Sequence, residues 1–231
     1  MPAYIDRPFR HELKYYINQG DYEVLRNRLA LTMDRDENAD EYGEYHIRSL
    51  YFDDAINSAV RDKLDGVDER KKYRIRIYNL SDRIISLECK QKVGQYIHKR
   101  SMRISRDLCD AICAGDYEPL LSCDAPLARE MYYQMSCRLL RPAVIVDYVR
   151  EAFVAAYQDV RITFDKDLRT GVFSRDLFDP HVPTVKAVDG YDMILEVKFN
   201  KYLPEYYHRL VQVDASIHSA VSKYVLCRKF E

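Results

Sequence analysis

The chain has 231 residues, 47% of them hydrophobic, and its 36 Lys and Arg nearly balance 37 Asp and Glu for a net charge of −1. That length and apolar content allow one domain, residues 1–231, with a real core, and they argue against wholesale disorder. A neutral total argues against a broad nucleic-acid surface, and with only 7 Gly the chain carries neither a GxxxxGK[ST] nor a GxGxxG phosphate loop.

In chain order, residues 9–17 (FRHELKYYI) form the first predicted strand. Gly20-Asp21 then leads into an amphipathic helix with Tyr22, Leu25, Leu29 and Met33 on one stripe. A second strand covers 42–52, and Asp53-Asp54 opens a short helix carrying Ala55, Ala59, Val60 and Leu64. Residues 70–78, 84–93 and 96–105 are three consecutive strands, with turns expected at Ser81-Asp82 and Val93-Gly94-Gln95; loops this short require antiparallel neighbours. Helices follow at 106–115 and 126–140, the second with Asp124 as its expected cap and Pro126 in its first turn. Residues 143–156 and 158–165 form another strand pair, 166–190 is loop-rich, 191–199 is a late strand, and 204–226 is a helical region. About eight mostly antiparallel strands with four or five helices define an α+β protein.

The neutral total hides a segregation of charge. Residues 34–69 hold 12 acidic and 4 basic side chains, whereas residues 70–106 hold 2 acidic and 12 basic. Alternation along a strand sorts these charges again, because successive side chains point to opposite faces. Lys72, Arg74 and Arg76 oppose Tyr73, Ile75 and Ile77. Glu88, Lys90 and Lys92 oppose Leu87 and Cys89. Arg10, Glu12 and Lys14 oppose Leu13 and Tyr15, and Glu196 and Lys198 oppose Leu195, Val197 and Phe199. Tyr148, Arg150 and Ala152 share one face of their strand, as do Arg161, Thr163 and Asp165 of theirs. Six strands thus carry a charged stripe, and helices must cover their apolar stripes.

Two architectures satisfy this pattern: a closed barrel with a charged lumen, or an open sheet with one solvated face. A lumen rich in Arg and Lys is costly unless an anion occupies it. The fitting ligand carries many negative charges along its length, as a polyphosphate or a nucleoside triphosphate does. Inward carboxylates such as Glu12, Glu88 and Glu196 suit Mg²⁺ or Mn²⁺, hard cations that bridge carboxylate and phosphate oxygens.

The segments FRHELKYYI, KYRIRIY, LECKQK, HKRSM, VDYVREAF, VRITFD, LEVKFN and SKY occur in an order that resembles the polyphosphate polymerase domain of the vacuolar transporter chaperone (VTC) complex, within the triphosphate tunnel metalloenzymes. The likeness runs from about residue 8 to residue 226. It implies an eight-stranded antiparallel closed β-barrel with helices outside. It also implies transfer of the γ-phosphoryl group of ATP to a growing inorganic polyphosphate chain. Matched residue by residue, the resemblance implies Lys14, Arg74, Arg76, Lys90, Lys99, Arg150, Arg161 and Lys223 as the phosphate-handling cations. It implies Glu196 as a ligand of Mn²⁺ or Mg²⁺, to which the strand-face reading adds Glu12. Lys99 and Arg100 are adjacent, so register decides which faces inward, and counting from Gly94 favours Lys99. The wider superfamily carries E-x-E-x-K on its first strand; here the first acid is Arg10. That change favours a phosphoryl transferase over a triphosphatase of the same fold; the other alternative, a non-catalytic polyphosphate-binding subunit, is disfavoured because every candidate catalytic position keeps a suitable side chain.

Other readings are bland. The six Cys include no C-x-x-C pair and are expected as buried thiols, the six His have no metal spacing, and Ser222 has no histidine partner nearby for a nucleophile. A polar N-terminus and the lack of a span of about 20 apolar residues lead to the expectation of a cytoplasmic protein whose membrane partner, if any, is another polypeptide.

Overall fold

The computed structural model describes residues 4–156, 159–188, 193–212, 217–218 and 221–230. Eight long strands make the frame: β1 (Tyr4–Ile17), β3 (Glu44–Asp53), β4 (Glu69–Tyr78), β5 (Ser81–Val93), β6 (Tyr96–Arg103), β7 (Arg141–Val154), β8 (Arg161–Val172) and β10 (Met193–Phe199). Three two-residue strands, β2 (Asp34–Arg35), β9 (Val185–Lys186) and β11 (Ile217–His218), pair with β7, β8 and β1. The long strands run in the order β7-β3-β4-β5-β6-β1-β10-β8, every pairing is antiparallel, and β8 returns to β7. The sheet is therefore a closed barrel and leaves no long edge exposed.

Local sequence explains most of the elements. Helix α1 (Gln19–Ala30) starts at a capping box in which Asn18 accepts from the Asp21 amide at 2.9 Å; Met33 is buried but follows the helix. Asp53 and Asp54 accept the amides of Ala59 and Ser58 and so set the start of α2 (Ser58–Leu64). Helix α3 (Arg106–Ala114) is capped by Ser105 and ends at Gly115, whose φ of +92° an L side chain adopts at a cost. Helix α4 (Pro126–Cys137) has Pro126 at its first turn, but Ala125 occupies the cap position and makes no side-chain bond, so Asp124 is not the cap.

Other boundaries also differ from the sequence reading. The β4–β5 turn lies at Asn79-Leu80, both at positive φ, rather than at Ser81-Asp82; Tyr78 pairs with Ser81, which leaves two residues for a tight hairpin. Strand β8 continues to Val172, into the stretch expected as loop. The predicted helical region 204–226 is instead α5 (Glu205–Leu210), β11 and α6 (Lys223–Cys227), with residues 213–216, 219 and 220 outside the described residues. The start of the late predicted strand, residues 191–192, also lies outside them.

The outward apolar stripes are covered as the alternation demands. Ile75, Ile77, Leu87 and Met102 of β4–β6 pack under Cys109 and Ile112 of α3 and Leu127, Met131 and Met135 of α4. Tyr22, Leu25 and Leu29 of α1 cover Phe153, Ile162, Phe164, Leu195 and Val197. One anchor of this outer layer is polar. Glu130 of α4 accepts from Tyr73 Oη at 2.6 Å, Lys71 Nζ at 2.9 Å and Arg100. Burial raises its carboxyl, but Arg100, Tyr73 and Lys71 outweigh that and hold it at about 2. Glu130→Ala should therefore cost roughly 1.5–3 kcal/mol in a urea melt, the range for hydrogen bonds to charged groups. Because the folded carboxyl is depressed, its contribution is full above the ordinary range and fades as pH falls towards about 2. An acid titration of the variant should accordingly lose that part of the wild-type stability drop.

All six cysteines are free; Cys89, Cys109 and Cys227 are buried, whereas Cys137 is exposed, contrary to the expectation for it. Among the described residues no helix is long and apolar enough to cross a membrane.

Candidate functional site in the barrel lumen

Register decides which stripe faces the lumen. Arg74 pairs with Tyr51 and Glu88, Arg76 with Ser49 and Ser86, and Lys90 with Lys99. Lys14 pairs with Glu196, Glu196 with Thr163, and Arg150 with Asp165. The other face of each strand meets the helices, so these charged residues point inward. Lys99 faces the lumen, where its Nζ lies 2.5 Å from Glu88 Oε1, while Arg100 turns out to Glu130.

Four inward carboxylates organise the cations. Glu88 accepts from Arg74 Nε at 2.7 Å and from Lys99. Glu12 accepts from Lys90 Nζ at 2.5 Å and Arg10 Nη2 at 3.0 Å. Asp165 takes a two-pronged contact from Arg150 at 2.6 and 2.8 Å and a second contact from Lys223. Glu196 meets Lys198 at 2.8 Å, Lys14 at 3.3 Å and Arg150 at 3.4 Å. Eight cations, Arg10, Lys14, Arg74, Lys90, Lys99, Arg150, Lys198 and Lys223, thus contact these four carboxylates, and Arg76 shares their face without such a contact among the described residues. Arg76 is 6% exposed, and among the described residues its side-chain partners are hydroxyls: Ser49 Oγ at 3.2 Å and Tyr148 Oη at 3.1 Å.

The electrostatics match that excess. Burial tends to raise the Glu12 carboxyl, yet Lys90 and Lys14 hold it at about 2. Burial likewise opposes ionisation of Glu88, and Arg74, Lys99 and Arg76 keep it well below the carboxylate range. The lysines yield in the other direction. Burial pulls Lys90 and Lys99 down to about 8; Glu12 and Glu88 oppose this, while Lys14 beside Lys90 and Arg76 and Arg74 beside Lys99 reinforce it.

The predicted residues do not all converge. Arg161 pairs with Asp36 and donates to Tyr45 Oη at 2.9 Å, at the mouth where β8 begins. Glu88 is engaged by Arg74 and Lys99, as Glu12 and Glu196 are by their own cations. The lumen is also not charged throughout. Val144, Val146, Tyr148, Tyr51 and Ile194 face inward and pack against Tyr224, Leu226 and Cys227, so α6 lies against the inner wall rather than outside the barrel. That placement delivers Lys223 to Asp165 and the Val221 carbonyl to Lys14 Nζ at 3.4 Å. Tyr224 anchors it by donating to Asp53 Oδ2 at 2.5 Å. Sequence reasoning did not select Lys198 and Asp165 as site residues; Lys198 lies two positions from Glu196 and Asp165 four from Arg161, so period-two alternation carries the signal. No local signal places the Tyr51 and Tyr148 hydroxyls on Arg74 and Arg76.

A closed antiparallel barrel lined by Arg and Lys around a few carboxylates is the fold of the triphosphate tunnel metalloenzymes. The sequence matches the VTC domain profile over residues 9–230, and the chain belongs to the VTC domain family. HpAC1 from Hippeastrum, an adenylyl-cyclase candidate with a dominant triphosphatase activity, shares the fold at 13% identity; the match covers 98% of this chain and 97% of that one, with a TM-score of 0.57. The PH1819 protein from Pyrococcus horikoshii OT3 does so at 13% identity over 96% of this chain and 99% of that one, with a TM-score of 0.52. No curated protein sequence matches the chain.

The fold family implies a divalent ion. Glu12 and Glu196 lie 3.7 and 3.3 Å from the same Lys14 ammonium, so two carboxylates flank one cationic position. Mg²⁺-like ions commonly take one or two carboxylates and complete their shell with water and substrate phosphates. The donor set fits such an ion, although no cluster of three or more ligand-type residues occurs among the described residues.

Proposed function

We propose that this protein is a polyphosphate polymerase that transfers the γ-phosphoryl group of ATP to a growing inorganic polyphosphate chain. The observation that carries this reading is the excess of inward cations over carboxylates, with buried Arg76 held by hydroxyls. A polyanion supplies the missing charge.

Phosphoryl transfer needs positioning and charge stabilisation more than covalent chemistry. Arg74, Arg76 and Arg150 would grip the triphosphate through paired N–H donors, and Lys14, Lys90, Lys99 and Lys223 would neutralise the remaining oxygens. Arg161, at the mouth, would contact the part of the substrate that enters there. A terminal phosphate oxygen of the acceptor attacks the γ-phosphorus, the bond to the β–γ bridging oxygen breaks, and ADP leaves. That nucleophile is already ionised, so no strong general base is required. Glu196 and Glu12 would hold Mn²⁺ or Mg²⁺, whose charge would offset that of the substrate phosphates. Arg10 donates to Glu12 where hydrolases of the superfamily have an acid, and this favours transfer over hydrolysis.

Incubation with ATP and Mn²⁺ followed by gel electrophoresis should show polymer. ADP and free phosphate alone, even with a polyphosphate primer, would overturn the reading. The activity printed for HpAC1 favours a triphosphatase as the second reading; release of phosphate from tripolyphosphate without chain growth selects it.

The lysines predict the pH dependence of binding. Lys90 and Lys99 lose their protons near pH 8 in the empty lumen, and a bound polyanion favours their charged forms. Binding should therefore take up protons near pH 8, and tripolyphosphate affinity should fall as pH rises from about 7 to about 9. Calorimetry in buffers of different ionisation heat reads the uptake directly; affinity independent of pH over that range contradicts it.

A further inference from the structure

Building polyphosphate requires an acceptor, and before any chain exists the acceptor must come from elsewhere. Ser222 has no histidine near it in sequence, but the fold gives it a lysine: Lys72 of β4 brings its Nζ to 2.9 Å from Ser222 Oγ. That lies within the roughly 2.6–3.2 Å over which a base takes a proton from a nucleophile. The Val225 amide donates to the same oxygen at 3.4 Å, so the hydroxyl hydrogen is left for Lys72. The segment is fixed in place, because Tyr224 donates to Asp53 Oδ2 at 2.5 Å and stacks on Tyr51 with ring centroids 4.9 Å apart. Lys72 is partly buried, and among the described residues no carboxylate forms an ion pair with it. The charges that face it are Lys14 of β1, Lys90 of β5, Arg70 of its own strand and Lys63 of α2. From the C-terminal segment it meets Ser222 and the Tyr224 ring, 5.0 Å away at the centroid. Burial and the four cations pull its ammonium down to about 7, so the neutral amine is present near pH 7.

The hydroxyl also lies among the cations that would neutralise the triphosphate. Val221 on one side of it accepts from Lys14 Nζ at 3.4 Å, and Lys223 on the other side pairs with Asp165. Lys72 itself pairs across the β4–β5 ladder with Lys90. We propose that Ser222 and Lys72 are a nucleophile and its general base, which take the γ-phosphoryl group of ATP onto the serine so that the phosphoserine serves as the first acceptor when no chain is present. The assignment rests on the reading of the lumen as an ATP-dependent polymerase site and adds how a chain begins. Ser222 Oγ attacks the γ-phosphorus and its proton passes to Lys72 Nζ. The bond to the β–γ bridging oxygen breaks, and its electron pair leaves with ADP. The ammonium formed on Lys72 then faces the new phosphate monoester. A phosphate acceptor is already ionised and needs no base, whereas a serine hydroxyl does, and this gives Lys72 a task that chain extension leaves open.

The test incubates the full chain with ATP labelled at its γ-phosphate and Mn²⁺, without primer. The protein is quenched in acid, unfolded and washed, and the phosphate is located by mass spectrometry. Wild type should carry it on Ser222, and Ser222→Ala should carry none. Lys72→Arg keeps the charge but replaces the amine by a guanidinium that does not lose its proton. It should label at least about 100-fold more slowly, the lower end of what a general base contributes. Its tripolyphosphate affinity, read by calorimetry, should stay within roughly threefold of wild type, a difference below 1 kcal/mol. Thermal melts check that both variants fold. Labelling of Lys72→Arg at the wild-type rate overturns the proposal, as does label that persists in Ser222→Ala. Unlabelled wild type also overturns it, and extension of an added primer by the same preparation would leave the polymerase reading standing. Labelled Ser222 with no polymer from ATP, primed or unprimed, would sink the polymerase reading alone.

Discussion

Arg76→Ala should lower tripolyphosphate affinity about 100-fold or more while lowering the melting temperature less than Arg74→Ala does. Arg76 is 6% exposed, and its side-chain bonds go to Ser49 and Tyr148 hydroxyls. Burial and Arg74 oppose its charge, whereas Tyr148 and Glu88 favour it, and the net direction is upward. Removing an arginine that a buried carboxylate needs would destabilise the fold. Removing this one takes a weaker charge from Glu88, which keeps its direct contacts with Arg74 and Lys99. Its loss in the complex is different in kind, because truncating one partner of a desolvated charged contact costs about 2–5 kcal/mol, and each 1.4 kcal/mol is tenfold in affinity. Arg74→Ala should behave differently. It takes from Glu88 a partner at 2.6 Å and leaves Lys99 to neutralise it, so stability falls together with binding. Calorimetry and thermal melts on the two variants separate these outcomes. A large fall in melting temperature with intact binding for Arg76→Ala would make Arg76 a structural residue.

The largest effect on stability is expected outside the lumen. Asp147→Ala should destabilise the protein by about 3–5 kcal/mol, the cost of leaving a buried charge without its partner. Arg48 and Asp147 are 3% and 5% exposed, and their contacts run at 2.9, 3.1 and 2.8 Å. The remaining Arg48 donors reach the carbonyls of Leu177 at 3.3 Å and Asp179 at 2.5 Å, which ties the 177–179 segment to the barrel wall. The alanine variant would strand the guanidinium and loosen that segment. For a chain of this size the melting temperature should drop on the order of 10 °C. The double variant Arg48→Met/Asp147→Leu should recover most of the loss, since replacing a whole buried pair by apolar groups is often neutral. Urea denaturation of Arg48→Met, Asp147→Leu and the double variant measures the coupling; additive losses would mean that the pair is not the cause.

Much of the barrel was legible in the sequence because alternation is a local property. The spacing of Arg74 and Arg76, Glu88 and Lys90, Glu12 and Lys14, and Glu196 and Lys198 puts each pair on one face whatever the strand pairs with. The acidic stretch 34–69 was read by composition, and part of it is structural rather than exterior: Asp36 is buried against Arg161, and Asp53 caps α2 and receives Tyr224. The β4–β5 turn was misplaced by two residues because Leu80 takes positive φ, which its side chain disfavours and only the register of the hairpin imposes. The stretch 204–226 reads as a helical region, whereas among its described residues the chain forms two short helices and β11.

By itself, the sequence determined which residues share a face, the order of charged and apolar strands, and the family. Those properties depend on neighbours in the chain and on period-two geometry. Closure, the inward choice of Lys99 over Arg100, the sharing of Glu12 and Glu196 by Lys14, and the seating of α6 on the inner wall were decided by tertiary structure. Each depends on register between strands far apart in sequence, and a one-residue slip would turn the cations of any strand out of the lumen. The near balance of 36 basic and 37 acidic residues therefore hides a basic interior, because composition sums over the two sides of a wall that exists only once β8 meets β7.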